Sequence, residues 1–380
     1  MCKIRVNTQI LRIFAMVLFT IIPFVHVNHT IIYICMELIC LYGIVNFNKN
    51  ILNDTFFKYY LWFFIWCIIV TILSAKFLLS FKSMTTCMIP LLLVCGLYDG
   101  RVLGKMDILL LLCSLSLLLV SLSFLLITWL KVDFVLFNLI NEYGGGRITS
   151  STLAMCMIVY ALFFSSTKTF RNLIIGLNII SGLILKDSAF IFTMFVSGFL
   201  YWALVVRKVA IYKIVISVMV IVGVVQFILI NVLHYNLHIN ERLHIYNYWI
   251  NKIFYSPIYG VGLGLKLESY FFTTHFPLSS ELYKMDTNIA LHAHNYFLDL
   301  LLQTGFVGLF IMIFLLYKIS YAAYEHNSRY GLSVFFMILV IVMKNLVDDE
   351  IDGSRGLIYW LFIIITYVTV MYRKKANFKC

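Results

Sequence analysis

The sequence predicts an all-α, polytopic integral membrane protein with about 12 transmembrane helices and one large extracytoplasmic loop between helices nine and ten. Three observations lead to this prediction. The chain of 380 residues is 62% hydrophobic and only 12% charged, with a mean hydropathy of +0.96. A soluble domain carries about 25% charged residues, so this chain has too little charge to cover a globule of its size. Apolar segments recur along the whole chain, and one long polar stretch, 234–293, interrupts them.

The same composition excludes a soluble enzyme, a disordered protein and a nucleic-acid-binding protein. The net charge of +12 is interpreted as a topology signal, because Lys and Arg accumulate in the cytoplasmic loops of membrane proteins. Four prolines and the lack of low-complexity tracts argue against linker-joined domains, so 1–380 is predicted to be a single membrane domain. The nine cysteines form no CxxC pair, and they indicate buried thiols rather than redox or zinc chemistry.

A transmembrane helix needs about 20 predominantly apolar residues. Segments of roughly this character lie at 8–27, 30–47, 57–75, 84–98, 108–130, 149–165, 172–186, 188–206, 211–233, 294–317, 331–347 and 357–371. The first follows basic residues as a signal peptide would, but it has no small-x-small cleavage site and is interpreted as a retained helix. Only Lys186 and Asp187 separate segments seven and eight.

The distribution of positive charge predicts the orientation. With the N-terminus placed inside, the cytoplasmic ends and loops hold most of the 29 Lys and Arg residues. This excess predicts that both termini are cytoplasmic and that 234–293 is extracytoplasmic. Long ordered loops usually carry function, so any chemistry is expected on that outer side. Most histidines lie in or directly after this loop: His234, His238, His244, His275, His292 and His294.

The strongest local signal is His292-Ala293-His294-Asn295, at the start of segment ten. Asn295, Asp299 and Gln303 follow at four-residue spacing and therefore share one helix face. Polar side chains at membrane depth are expected to face the protein interior or a wet cavity. The alternative is that Asn295 only caps the helix and that the histidines lie at the membrane interface. Two histidines alone are too few ligands to predict a metal site.

A second signal precedes the histidines. Arg242, Tyr246 and Trp249 are spaced to share one face of an amphipathic interfacial helix. The pair Ser256-Pro257 ends that helix, and three glycines follow: Gly260, Gly262 and Gly264. Glycine-rich backbone can cradle phosphate, but no GK[ST] sequence follows, and a simple turn is the alternative interpretation. Further along, Gly305 and Gly308 offer a small surface for close helix packing.

Two further basic residues lie at predicted outer turns. Arg147 follows three glycines, and its guanidinium suits an anionic ligand, although snorkelling to the interface is the alternative. Lys186 adjoins Asp187, and the alternative here is that the two charges neutralise each other. The acidic turn 348–352 is interpreted as solvated, with its first aspartate one helical turn from Lys344.

These residues together resemble a known family. An arginine, Arg242, is followed by an aromatic-rich helix, P-x-x-G-x-G-x-G from Pro257, and H-x-H-N-x-x-L with a glycine pair from His292. This arrangement resembles the O-antigen ligase and polysaccharide polymerase superfamily, in detail over about 242–310 and more weakly over about 140–371. The resemblance implies a bacterial inner (cell) membrane protein whose long periplasmic loop, 234–293, carries part of the active site.

The resemblance also implies roles for individual residues. Arg242 corresponds to the loop arginine that engages the lipid diphosphate, and His294 to the histidine that activates the acceptor hydroxyl or assists the leaving group. Arg147 corresponds to an earlier outer arginine, and Lys186 stands where the superfamily often has arginine. The remaining predicted substrate-binding residues are His292, Asn295, Tyr246, Trp249 and Asp299.

The implied activity is that of a metal-independent glycosyltransferase, without cofactor, whose donor is a glycan on polyprenyl diphosphate. A polymerase that joins lipid-linked repeat units at the periplasmic face is favoured. The alternatives are an O-antigen ligase, which transfers the glycan to lipid A–core, and a lipid-linked glycan transporter or flippase. Transporters usually contain repeated halves, which this chain does not show. Expected partners are the polyprenyl-diphosphate-linked oligosaccharide, membrane lipid, a chain-length regulator and a flippase, but no nucleic acid.

Overall fold

The structure, a computed structural model, describes residues 17–18, 20, 22, 29–45, 47–98, 106–130, 145–185, 188–208, 250–251, 253–264, 295–345 and 354–372. The regular structure in these ranges is helical. The helices are α1 His29–Val45, α2 Thr55–Leu73, α3 Phe77–Leu97, α4 Met106–Leu130, α5 Gly145–Phe164, α6 Lys168–Ile184, α7 Ser188–Tyr201, α8 Tyr296–His326, α9 Ser328–Asn345 and α10 Ser354–Tyr372. A 3-10 turn, Lys49–Asn53, precedes α2, and a π-helical turn, Trp202–Val206, continues α7.

The predicted apolar segments within the described ranges are all helices. Segments seven and eight are separate helices, α6 and α7, and α8 extends past the predicted end at 317 to His326. Segment 211–233 and most of 8–27 and 234–293 lie outside the described residues, although Leu18 and Ile22 of the first segment are buried in the core. The all-α architecture is thus supported, whereas the total of about 12 spans stays a prediction.

Length and composition indicate a membrane protein. Within the described ranges, four helical stretches are long and apolar enough to cross a bilayer: Thr55–Leu73, Phe77–Leu97, Met106–Ser123 and Tyr296–His326. Large apolar side chains stay exposed on the outside of the bundle, with exposed fractions of 82% for Leu78, 68% for Phe195 and 67% for Ile72. A soluble monomer rarely exposes so many large apolar side chains. In a membrane protein such side chains face the lipid.

Two helices, α5 and α10, form the centre of the bundle. The stretch 150–161 of α5 is buried without interruption, and so is 356–370 of α10 except for the half-buried Trp360. The hydroxyls of Tyr160 and Thr369 lie 3.1 Å apart and join the two helices near their C-terminal ends. Around this pair, α9 packs against α5, α8 and α10, and α3 packs against α1, α2 and α10.

One end of the bundle gathers helix termini that the charge distribution assigns to the same side of the membrane. Asp54 caps α2, because its Oδ1 accepts from the N–H of Phe56 at 2.9 Å, and the hydroxyl of Tyr367 in α10 donates to its Oδ2 at 3.2 Å. Asp107 at the start of α4 accepts from the N–H of Ser166, just after α5, at 2.9 Å. The predicted topology places these four ends together, in the cytoplasm; their sidedness remains a prediction.

Helices α1 and α3 approach each other through two glycines. A Cβ built on Gly43 would collide with the backbone of Gly96, and a Cβ on Gly96 would collide with the carbonyl of Ile39. The obstacles are backbone atoms, which cannot rotate away as a side chain can. Small residues at such crossings let helix backbones pack closely in a membrane.

We therefore expect Gly96→Ala to lower the thermal stability of the purified protein in detergent. Forcing a methyl group into a packed backbone contact costs about 1–3 kcal/mol. The matched control is Gly198→Ala in α7, where nothing lies within 4 Å of the added Cβ. The control is expected to be as stable as the wild type or slightly more stable. Equal midpoints of thermal unfolding for the two variants would contradict the close α1–α3 crossing.

Candidate active site

The helix that follows the histidine motif is broken at Gly305. This residue has φ 69° and ψ −177° inside α8, a conformation that residues with a Cβ rarely adopt. The break divides α8 into a short half-helix, 296–304, and a long half-helix, 306–326. The long half-helix measures about 30 Å and can cross the hydrocarbon core without the short one.

The chain changes direction sharply at this break. Tyr296 lines the same small apolar cavity between α8, α9 and α10 as Met312 and Leu316. In a straight helix Tyr296 and Met312 would lie about 24 Å apart along the axis. Because both side chains line one cavity, the short half-helix bends back towards the bundle and does not extend the long half-helix outwards. The start of α8 therefore lies beside α9 and α10 and does not project beyond the bundle.

At the break, two carbonyls of α8 accept hydrogen bonds from loop backbone instead of from their helical partners. In a continuous helix the carbonyl of Leu302 would accept from residue 306 and that of Gln303 from residue 307. Here the Leu302 carbonyl accepts from the N–H of Val261 at 2.9 Å, and the Gln303 carbonyl accepts from the N–H of Gly262 at 3.2 Å. The loop residues 256–264, called the glycine segment below, thus supply the missing donors.

The same segment supplies the missing acceptors. The N–H of Phe306 donates to the carbonyl of Pro257 at 2.8 Å, and the N–H of Val307 donates to the carbonyl of Ile258 at 3.4 Å. Both donors and acceptors at the break are therefore satisfied by one stretch of loop backbone. This satisfies the requirement that buried irregular backbone be hydrogen-bonded, since Leu302 and Thr304 beside the break are buried.

Glycine is required where the two backbones meet. Gly260 has φ 72°, and a Cβ there would meet the carbonyl of Gln303. A Cβ on Gly305 would meet the carbonyl of Ile258. The prediction that Gly305 serves helix–helix packing is therefore wrong, because it contacts loop backbone. Gly308 does face a neighbouring helix, and its Cβ would lie 3.0 Å from Cδ1 of Trp66 in α2.

The glycine segment is a turn, and the N–H groups of its three glycines, Gly260, Gly262 and Gly264, are engaged within the protein rather than free to cradle phosphate. The N–H of Gly260 donates to the carbonyl of Ser256 at 2.9 Å, and the next two N–H groups donate to α8. The N–H of Gly264 donates to the side-chain Oε1 of Gln303 at 2.9 Å. Since these donors are engaged by the protein, they are not directed at an anion.

Helices α2 and α3 hold this assembly from the other side. The indole Nε1 of Trp66 donates to the carbonyl of Thr304 at 2.9 Å, the last carbonyl before the break. The hydroxyl of Ser74, just after α2, donates to the carbonyl of Val261 at 3.4 Å and accepts from the hydroxyl of Ser80 at 2.8 Å. Pattern analysis of the sequence missed these three residues, because an indole or hydroxyl within an apolar segment does not signal its distant partner.

The predicted polar stripe of α8 divides into three separate roles. Asn295 is the N-cap, since its Oδ1 accepts from the N–H groups of Phe297 at 3.0 Å and Leu298 at 3.3 Å. This confirms the capping alternative for Asn295. Asp299 is 6% exposed in the first turn, where the positive end of the helix dipole stabilises a carboxylate. Gln303 binds the glycine segment rather than facing an open cavity.

A second buried charge lies on a helix that meets α8. Lys344, in the last turn of α9, is 1% exposed, and Ile341 one turn earlier lines the same cavity as Tyr296. Residues 346–353, which include the aspartate predicted to pair with Lys344, lie outside the described residues. Burial of Lys344 and Asp299, on the adjoining helices α9 and α8, is costly in a membrane. It marks this part of the bundle as a candidate functional region.

The structure locates only part of the predicted site. For Arg147 it gives a backbone position in the first turn of α5. Asn295 and Asp299 lie at the start of the short half-helix. The other predicted residues lie outside the described ranges: Arg242, Tyr246, Trp249, Lys186, His292 and His294. The contact between the glycine segment and α8 brings the chain that follows Trp249 next to the chain that follows His294.

The described residues contain no group of three or more His, Cys, Asp or Glu that could hold a metal ion. Residues 173–313 match the family model described as O-antigen ligase, and this match includes the glycine segment and the break in α8. No curated protein matches the chain. The family match confirms the predicted resemblance to the O-antigen ligase and polymerase superfamily. Together with the apolar helices, it supports a multi-pass protein of a bacterial inner membrane.

We expect Gly305→Ala to destabilise the protein, because the new Cβ faces a carbonyl and the backbone must keep a positive φ. Each strained backbone position of this kind costs about 1–3 kcal/mol. The measurement is the midpoint of thermal unfolding in detergent, with Gly176→Ala in α6 as the control, because nothing lies within 4 Å of that site. A wild-type midpoint for Gly305→Ala would show that α8 tolerates a regular helix at this position.

Proposed function

We propose that the protein is a glycosyltransferase that polymerises repeat units of a polysaccharide at the periplasmic face of a bacterial inner membrane. The donor is an oligosaccharide on polyprenyl diphosphate, and the acceptor is a hydroxyl of the next lipid-linked unit. The observation that carries this proposal is the O-antigen ligase match over 173–313. The docking of the glycine segment on α8 adds support, because it joins the two chain segments that adjoin the predicted catalytic residues.

The proposed reaction is a displacement at the anomeric carbon. The acceptor oxygen forms a bond to that carbon while the bond from the carbon to the diphosphate oxygen breaks. His294 takes the hydroxyl proton as a general base. The polyprenyl diphosphate leaves with the electron pair, and Arg242 stabilises the charge that develops on it. Both the bond energy and the leaving group reside in the donor, so the reaction needs no nucleotide.

Other predicted residues bind the two substrates. Arg147 and Lys186 contribute positive charge towards the diphosphate, and aromatic side chains stack on sugar rings. Asn295 holds the start of the short half-helix directly after His294, and Asp299 lies one turn further on. The complete proposed substrate-binding set is Arg147, Lys186, His292, Asn295, Tyr246, Trp249 and Asp299.

A second candidate function is O-antigen ligation, in which the finished glycan passes to lipid A–core. The matched family is described by this activity, and the match supports ligation as well as polymerisation. Purified protein supplied with lipid-linked repeat units distinguishes the two: a polymerase produces a ladder of lengthening chains, and a ligase requires lipid A–core. A lipid-linked glycan flippase would move the donor across vesicle membranes and form no new glycosidic bond.

We expect Arg242→Ala to reduce polymerisation about 100–1,000-fold, the usual effect of removing one donor that stabilises transition-state charge. Arg242→Lys is expected to restore only part of the activity, since lysine lacks the planar, two-pronged geometry that grips phosphate. The matched control is Arg329→Ala. Arg329 lies at the start of α9, just after the end of α8, and the glycine segment binds near the opposite end of α8. Full complementation of a deletion strain by Arg242→Ala would contradict the proposed role of Arg242 in stabilising charge on the diphosphate.

The two histidines are expected to differ. His294→Ala should abolish chain extension, because His294 directly precedes the helix cap, whereas His292→Ala should retain it. Activity should also fall as the medium is acidified, since an imidazolium cannot accept a proton. Treatment with EDTA is expected to have no effect. Wild-type extension by His294→Ala would contradict the general base, and zinc-dependent recovery after EDTA would assign the histidine to a metal instead.

The sidedness of the loop can be measured directly. A cysteine introduced at Ser279 should react with a membrane-impermeant maleimide from the periplasm, and a cysteine at Ser328 should not. The native cysteines within the described residues are buried or half-buried, which keeps background labelling low. Labelling of Ser328→Cys but not Ser279→Cys would invert the topology and place the proposed site on the wrong side.

A further inference from the structure

Two side chains tie the break of α8 to its surroundings. Gln303 accepts a hydrogen bond from the N–H of Gly264 through Oε1, at 2.9 Å. Trp66 donates from Nε1 to the carbonyl of Thr304, also at 2.9 Å. In a continuous helix the Thr304 carbonyl would accept from the N–H of residue 308. The indole therefore takes over a hydrogen bond that the break removes.

The Trp66 hydrogen bond ends in the buried interior, at Thr304, whereas the Gln303 hydrogen bond lies at its edge, because Gln303 and Gly264 are half-buried. Thr304 is fully buried, and Leu302 and Leu263 are 2% and 4% exposed. A buried carbonyl or N–H that loses its partner there keeps the whole cost of desolvation. The two hydrogen bonds have different partners: that of Gln303 fixes the glycine segment on α8, and that of Trp66 fixes α8 at its break on α2.

We infer that Gln303 and Trp66 are positioning residues that fix the register between the two halves of the active site. The two ties are called the clasp. On one side of the clasp, the glycine segment continues the chain that carries Arg242 and Trp249. On the other side, the short half-helix begins two residues after His294, with only its N-cap Asn295 between them. This inference rests on the proposed function for its catalytic consequence, whereas the clasp itself is a structural claim.

The chemistry of Gln303 makes the inference specific. Its side chain acts in the clasp only as an acceptor, and a glutamate offers the same acceptor at the same length. If Gln303 instead contacted a sugar through its amide N–H groups, glutamate would remove those donors. Replacement by glutamate and by leucine therefore separates positioning from direct substrate binding.

The catalytic test compares Gln303→Leu, Gln303→Glu and wild type with lipid-linked repeat units. We expect Gln303→Leu to lower kcat about 10–100-fold with KM nearly unchanged, because small misplacement of reacting groups slows chemistry by this much. Gln303→Glu should recover most of kcat, and the pH profiles should keep the same shape. The matched control is Ser320→Ala, which loses only a hydrogen bond within α8. Loss of activity in Gln303→Glu equal to that in Gln303→Leu would overturn the positioning role.

A second measurement does not depend on activity. Amide hydrogen exchange, followed by mass spectrometry of the purified protein, should rise in both 256–264 and 296–305 in Gln303→Leu and stay at the wild-type level in Ser320→Ala. Should Gln303→Leu fail to fold, Trp66→Phe keeps an aromatic ring and removes the indole donor, and the same two stretches should exchange faster. Wild-type exchange in these variants would overturn the clasp. Faster exchange in the variants, together with no glycan transfer by the wild type, would uphold the clasp and reject the proposed function.

Discussion

The structure depends on one constraint: inside a membrane every backbone N–H and carbonyl must find a partner within the protein. A regular helix meets this constraint alone, but α8 is interrupted at Gly305, where φ is 69°. The interruption is tolerated because the glycine segment lies against it and exchanges hydrogen bonds in both directions. Loop and helix therefore form a single unit, and neither would be stable in its observed conformation without the other.

This unit explains why the glycines occur where they do. At Gly260 and Gly305 the partner is backbone, so any Cβ would separate the two chains and leave the buried donors and acceptors unpaired. The same close approach fixes what the segment can do chemically. N–H groups that are already engaged by α8 are not available to an anion, so charge recognition has to come from side chains, with arginine the most suitable.

The break also changes how the histidine motif relates to the membrane. A straight helix from Tyr296 would carry the preceding residues away from the bundle, whereas the bend returns Tyr296 to a cavity shared with Met312. Asp299 and Lys344 are buried, and each lies one helical turn after a residue that lines this cavity, Tyr296 and Ile341 respectively. A reactive group beside this half-helix would therefore adjoin both the polar loop and the lipid-facing bundle, as a lipid-linked substrate with a polar glycan requires.

The sequence by itself determined the all-helical class, the approximate limits of the described helices and the importance of the region around 256–305, because apolar length and local motifs are properties of neighbouring residues. It also allowed for Asn295 as a helix cap. Only the tertiary structure decided that Gly305 breaks α8, that Gln303 binds a loop N–H and that Trp66 completes the clasp. The partners of these ties are 39 and 238 positions apart along the chain. Hydrogen bonds between such distant groups follow from how helices pack, and no local periodicity encodes them.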